Sequence, residues 1–170
     1  MARSASVDAF TTLQLMLWHL RDSYDVDNDP DQDLMSVHGL IGAVCMMLRV
    51  VPNGLLWGGC PCSSYIFISA SACQRKPGNR SGNLNCTSVR VGNLLCSRFC
   101  LLALLATARS VFWLVEQPGT SCMTSYFRMA HLIRVCNQHG AFHGVARFCM
   151  GYYGAFSLKP SKVWGSMPLP

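Results

Sequence analysis

The sequence predicts an α/β protein, an open sheet with helices on both faces and an antiparallel hairpin at its C-terminal end. Two observations carry that prediction. Apolar segments of helix length alternate along the chain with apolar segments of strand length, the order that builds a sheet with crossover helices. The strand-length segments at 55–60 and 111–115 are apolar throughout, without the alternation of a half-exposed strand, the pattern of strands covered on both sides. A chain of 170 residues, 51% of them hydrophobic, is long enough to close one core around such a sheet.

The elements follow in order. Residues 11–20 place their apolar positions on one side of a helix. Residues 22–33 form an acidic turn region in which Tyr24-Asp25-Val26 offers a short strand. Residues 1–33 thus read as an N-terminal helix and acidic turn ahead of a core spanning 34–170. The run 34–50 is long enough for a helix, and Pro52-Asn53-Gly54 stops it. After the strand at 55–60 comes a polar loop, 69–93, punctuated by Lys76-Pro77-Gly78-Asn79 and Ser81-Gly82-Asn83; loops of that length without structure are usually functional or disordered. A helix over 94–108, a strand over 111–115 leading into Glu116-Gln117-Pro118-Gly119, and a helix over 121–135 come next. Residues 144–153 and 162–165 predict two strands around a turn at 154–160.

Composition narrows the partners. The 94–108 run is interrupted by Arg98 and closed by Arg109, short of the roughly 20 apolar residues of a bilayer span, so no membrane association is expected. No basic segment and small-residue cleavage site frame the apolar stretch 9–20 as a signal peptide. Ten cysteines scattered through apolar segments are expected as reduced, packed thiols in a reducing intracellular compartment, nucleus or cytoplasm. Cys60 and Cys62 are too close together for ordinary zinc-knuckle ligands and no second pair follows, so no metal site is expected. The net charge of +6 is uneven: Asp22, Asp25, Asp27, Asp29, Asp31 and Asp33 hold six of the eight acids, and from residue 34 onward Glu116 is the only one. A field that basic suits either a polyanion such as nucleic acid or a generic solvated surface.

The chemistry concentrates at two strand ends. Gly58-Gly59-Cys60-Pro61-Cys62-Ser63-Ser64 reads as a buried strand delivering Cys62 into a loop, and Glu116 follows the next buried strand. Ligands of open α/β sheets bind at the carboxyl ends of the strands, so the two side chains open onto one site if the strands are neighbours. A cysteine attacks as its thiolate, and a carboxyl is suited to contact a heterocyclic nitrogen. The plainer alternatives are a packing thiol for Cys62 and a salt bridge to an arginine for Glu116. A phosphate-cradling cysteine loop needs arginine six residues after the thiol, where Ile68 stands, and no motif around His131, His139 or His143 supports a cysteine protease.

These residues resemble the DNA (cytosine-5)-methyltransferases. Gly59-Cys60-Pro61-Cys62 is similar to that family's Pro-Cys motif, and Val115-Glu116-Gln117-Pro118 to its Glu-Asn-Val motif. Arg90 lies where members carry an arginine at the start of the following helix. Tyr153-Gly154-Ala155 with Lys159-Pro160-Ser161-Lys162 resembles the hairpin that bears their Gln-x-Arg-x-Arg motif. The resemblance covers about 54–168. It implies a partial class I methyltransferase (Rossmann-like) sheet in which Cys62 adds to C6 of a flipped cytosine, Glu116 bonds ring N3, and S-adenosylmethionine supplies a methyl group to C5. It further implies cofactor contacts from Pro61 and, weakly, Asp25. Nucleic-acid contacts are implied for Ser63, Arg75, Lys76, Arg80, Arg90, Lys159 and Lys162, with DNA the expected partner and RNA the alternative.

The chain also departs from the family. Gln117-Pro118 replaces Asn-Val, Cys60 replaces a proline, and two lysines replace arginines, trading planar forks for point charges. No Phe-x-Gly-x-Gly precedes residue 54; Gly39 and Gly42 fall within the helical run. Three readings follow: a divergent, truncated methyltransferase domain, its activity as a fragment left open; a noncatalytic methyltransferase-fold remnant that binds nucleic acid or a protein partner; and an enzyme of this fold with another substrate.

Overall fold

The order of the strands, rather than their number, places the site. The computed structural model describes residues 14–18, 22–24, 29–142 and 144–167. Six strands, β1 (Gln14–Trp18), β2 (Asp22–Tyr24), β3 (Leu55–Gly59), β4 (Phe112–Pro118), β5 (Gly144–Cys149) and β6 (Pro160–Gly165), form one mixed sheet in the order β2-β1-β3-β4-β6-β5. Only β3 and β4 are parallel, Leu56 opposite Trp113 and Gly58 opposite Val115; every other pair is antiparallel. The chain is therefore α/β, and β5 and β6 are the predicted C-terminal hairpin.

Four α-helices accompany the sheet: α1 (Val37–Arg49), α2 (Ala70–Cys73), α3 (Thr87–Ala108) and α4 (Phe127–Gln138). Ser36 caps α1, its hydroxyl accepting from the Gly39 N–H at 2.8 Å, and Arg49 suits the negative end of that helix. The helix α3 joins β3 to β4 as the crossover that a parallel pair requires. It packs on α1 at one side and α4 at the other, which sets all three on one side of the sheet. The expectation of helices on both faces is thereby corrected. Leu56, Trp113, Val115 and Trp164 join the helices in one core, whereas Leu114 and Val163, which point the other way, are buried outside it. Burial on β3 alternates accordingly, with Leu56 and Gly58 buried and Leu55, Trp57 and Gly59 partly open. The apolar residues on the second face had hidden that alternation in the sequence.

Gly58 is dictated by packing. A Cβ there would lie 2.3 Å from the Phe99 ring, so the glycine lets α3 close onto β3. Where Cβ atoms are admitted, Phe99 and Trp113 meet edge to face at 6.2 Å.

Two further expectations are corrected. The predicted helix over 11–20 is a strand at 14–18, because backbone pairing with both β2 and β3 overrides its helical spacing. The polar loop is shorter than 69–93, since α2 interrupts it and α3 begins at Thr87; Val89 and Gly92 turn into the core and carry a polar, glycine-containing stretch into the helix. With that extension α3 reaches 22 residues and is long and apolar enough, by length and composition, to cross a membrane. Nine of its residues are buried inside the fold, so the core accounts for its apolarity.

Candidate active site

The loop after β3 is pinned at nearly every residue. The Cys60 carbonyl accepts a bond from Gln117 Nε2, the Cys62 carbonyl one from the Tyr65 N–H at 2.8 Å, and the Ser63 carbonyl one from the Ser69 hydroxyl. Arg75 donates from Nε to the Ser64 carbonyl at 2.8 Å and from one terminal nitrogen to the Ser64 hydroxyl and Asn93 Oδ1. Its other terminal nitrogen reaches the Arg80 carbonyl at 2.8 Å, and its guanidinium lies 3.9 Å from the Tyr65 ring centroid. Tyr65 donates to the Gly92 carbonyl at 3.1 Å, and a Cβ on Gly92 would strike the Ser64 hydroxyl at 2.6 Å, so this glycine lets the loop rest on α3. Cys62 is thus held, half-buried, on a rigid turn.

Glu116 stands on the neighbouring strand, opposite Val163 of β6 and on the helix-free face. Its side chain is 15% exposed, Oε1 lies 3.7 Å from Lys159 Nζ, and that oxygen is buried with no hydrogen bond. Cys62 shares this environment. Burial pushes its thiol up, the Lys159 ammonium partly offsets that, and the Glu116 carboxylate pushes it up further. Cys60 is buried and its thiol is driven well above the ordinary range, first by burial and then by Cys96 and Glu116. Raised in this way both groups favour the thiol, and the Cys62 thiolate forms more readily once the Glu116 charge is neutralised.

The structure therefore brings together Cys62, Glu116 and Lys159 and sends the other predicted residues elsewhere. Arg75 gives its donors to the protein and staples the loop, leaving it no fork for a phosphate. Lys162 lies on the helix side, donating to the Ser121 carbonyl at 2.6 Å and sitting 5.6 Å from the Trp164 ring; burial and Arg147 lower its pKa. Arg90 closes the turn before α3 through the Leu84 and Asn85 carbonyls and the Thr87 hydroxyl. Ser63 is partly buried in the turn, and Pro61 is buried just past β3. The side chains of Lys76 and Arg80 are exposed and make no hydrogen bond or ion pair among the described residues. Asp25 lies outside the described residues.

Sequence reasoning missed Gln117. It is fully buried, donates to the Cys60 carbonyl and accepts from the Ser121 hydroxyl at 3.0 Å, so it clamps the Cys62 loop to the end of β4. The signal was available: with Trp113 and Val115 facing the core, the period of two puts Gln117 there as well, and a core amide needs partners. Tyr65 and Tyr126, whose ring centroids lie 3.9 and 5.8 Å from the Arg75 guanidinium, carried no such signal.

Against known family models, curated proteins and solved structures, the chain gives no match.

Proposed function

We propose that the chain is a DNA cytosine-5 methyltransferase-like domain on a partial class I methyltransferase sheet, in which Cys62 adds to C6 of an extruded cytosine and Glu116 engages the ring. The observation that carries the reading is Glu116 Oε1, a buried oxygen without a hydrogen bond that acts electrostatically on Cys62 from the adjacent parallel strand. A buried carboxylate oxygen left one partner short is costly unless a ligand supplies the missing bond.

The chemistry of these groups balances. As Cys62 Sγ bonds to C6, the thiol proton leaves to water and the C5–C6 π pair moves onto the ring. As the base docks, Glu116 takes up a proton from water, and that proton, shared between Oε1 and N3, neutralises the charge that accumulates on N3 as the C5–C6 pair is displaced toward it. That same proton removes the carboxylate field that raises the Cys62 pKa, so docking the base favours the thiolate. Lys159 holds Glu116 in place and favours the thiolate from the other side.

The methyl donor implied by the resemblance is S-adenosylmethionine, and the described residues do not fit it. The glycines ahead of β3 that could open a cradle are filled from within: a Cβ at Gly39 would meet the Asp33 carbonyl at 2.1 Å, and one at Gly42 the Tyr24 hydroxyl at 2.5 Å. No step is derived through the donor. That filled region supports the second reading, a noncatalytic remnant that binds nucleic acid or a protein partner.

Thiol addition to C6 labilises the C5 hydrogen without any methyl donor. Release of tritium from DNA carrying 5-tritiated cytosine, lost in Cys62→Ala, is the expected result. Equal release by Cys62→Ala sinks the mechanism, and DNA binding without release by the native chain favours the remnant. Trapping on DNA containing 5-fluorocytosine with S-adenosylmethionine added tests the methyl-transfer step.

A further inference from the structure

We propose that a basic trough along α4, away from Cys62, binds the phosphate backbone of a nucleic-acid strand. The choice of nucleic acid as the polyanion rests on the proposed cytosine chemistry; the trough itself rests on geometry and charge.

The buried side of α4 is Met129, Leu132 and Cys136, which leaves Phe127, His131 and Arg134 on an outer face at helical spacing. With Arg80, Arg128 and Ala130 these line a concavity of about 440 Å³. Three arginines share it, and none is paired with a carboxylate among the described residues, where Glu116–Lys159 is the one ion pair. Like charges gathered without counter-charge favour an anion between them.

The local chemistry adds directed donors. Arg134 donates to His131 Nδ1 at 2.9 Å, a contact in which the ring nitrogen accepts because a guanidinium can only donate. The first turn of α4 contains no acid, and Tyr126 supplies no side-chain cap, so unpaired N–H groups and the positive end of the helix dipole open beside Arg128. The Phe127 ring is 48% exposed with the Arg128 guanidinium 5.1 Å from its centroid, an aromatic-cation surface on which a base can stack.

The extent of the trough argues for a strand over a small phosphate ester. A second depression of about 300 Å³, lined by Lys76, Pro77, Cys122 and Ser125, shares Arg80 with the first. Cys122 is bonded through its N–H to the Tyr65 carbonyl at 2.7 Å, which joins this end to the turn that carries Cys62. Lys76, Arg80, Arg128 and Arg134 thus form a row of cations leading from the Cys62 loop to α4, suited to successive phosphates of one strand.

The test is fluorescence anisotropy of a labelled 20-nucleotide single-stranded DNA over a salt series. The R128Q/R134Q double variant should weaken binding at least tenfold at 0.1 M salt and reduce the slope of log K against log salt by about 0.7 for each phosphate no longer neutralised. R128K/R134K should restore most of both. Circular dichroism melting of R128Q/R134Q checks that these exposed changes leave the fold intact. Native affinity and slope in R128Q/R134Q overturn the proposal, as does a mononucleotide that binds as tightly as the oligonucleotide. A 20-nucleotide oligothymidine, which offers Cys62 no cytosine, should show the same loss in R128Q/R134Q, so a failure of the cytosine chemistry and a failure of the trough give different results.

Discussion

Lys159 Nζ lies 3.7 Å from Glu116 Oε1, an oxygen that is buried and has no hydrogen bond, and both charges act on the Cys62 thiol with opposite sign. Removing either charge should therefore move Cys62 reactivity in a defined direction. Lys159→Met raises the thiol pKa further and should slow alkylation of Cys62 by iodoacetamide at pH 8 severalfold. Glu116→Gln should speed it by a similar factor. Rates read by mass spectrometry at Cys62 that shift together, or not at all, would show that the three groups do not share a site.

The cysteines should label in a fixed order. Cys86 precedes the first residue of α3, and the Ser88 hydroxyl at 3.2 Å, then the Val89 N–H, hold its thiol below the usual range. Cys62 is pushed the other way by burial. At pH 7.5 Cys86 should react first, and its rate should level off at lower pH than that of Cys62. Peptide mapping after brief alkylation checks the order, and Cys86→Ser should remove the fast phase.

Two polar substitutions distinguish structural roles from ligand contacts. Gln117→Leu leaves the Cys60 carbonyl without a donor and the Ser121 hydroxyl proton without its acceptor, and should cost about 1–3 kcal/mol. Arg75→Met releases the Ser64 and Arg80 carbonyls and the Asn93 side chain, and should cost about 2–4 kcal/mol. Chemical denaturation gives both values. A destabilised Arg75→Met that keeps native affinity for DNA confirms the staple; full stability with lost affinity would return Arg75 to the phosphates.

Stability should fall in alkali. The thiols of Cys60 and Cys100 are raised in the folded chain, that of Cys60 first by burial and that of Cys100 first by its contact with Cys96 and then by burial. A raised folded pKa contributes stability that is present below the unfolded value and lost as pH climbs through it, here above about pH 8.5. The melting temperature should drop between pH 7.5 and 9.5. Cys100→Ala should flatten that drop relative to the native chain; an unchanged pH dependence would show that the thiol ionises as freely folded as unfolded.

The parts of the fold that were legible in the sequence are those with strong local punctuation. Pro52-Asn53-Gly54 ends α1, and the apolar runs at β3 and β4 are strands that bring Cys62 and Glu116 to adjacent ends. What was hidden depends on distant residues. The strand at 14–18 exists because β2 and β3 pair with it, and the first turns of α3 exist because Tyr65 and Ser64 pack on Gly92. The division of the hairpin lysines was recoverable only from register: Lys162 is opposite Gln117 and shares its face, while Lys159 precedes the strand and reaches Glu116. Charge alone could not separate Arg75, whose Nε and both terminal nitrogens are bonded to the protein, from Arg80, whose side chain makes no hydrogen bond or ion pair among the described residues.

Glu116 and Gln117 are consecutive on β4 and face opposite ways, one toward Lys159 and the thiol, the other into the core. A slip of one residue that turned β4 over against β6 would exchange them, sinking a carboxylate toward Trp164 and turning an amide to the Cys62 side. Trp113 and Ser166 guard against that slip: the Trp113 N–H donates to the Ser166 hydroxyl at 2.8 Å and the Ser166 N–H to the Trp113 carbonyl at 2.9 Å. Gly165 adds a steric lock, since its missing side chain is what lets the two strands lie so close at Trp113 and Leu114. The alignment of β4 and β6, fixed at Trp113 and Ser166, thus acts as the selector that decides which of two neighbouring side chains stands beside Cys62.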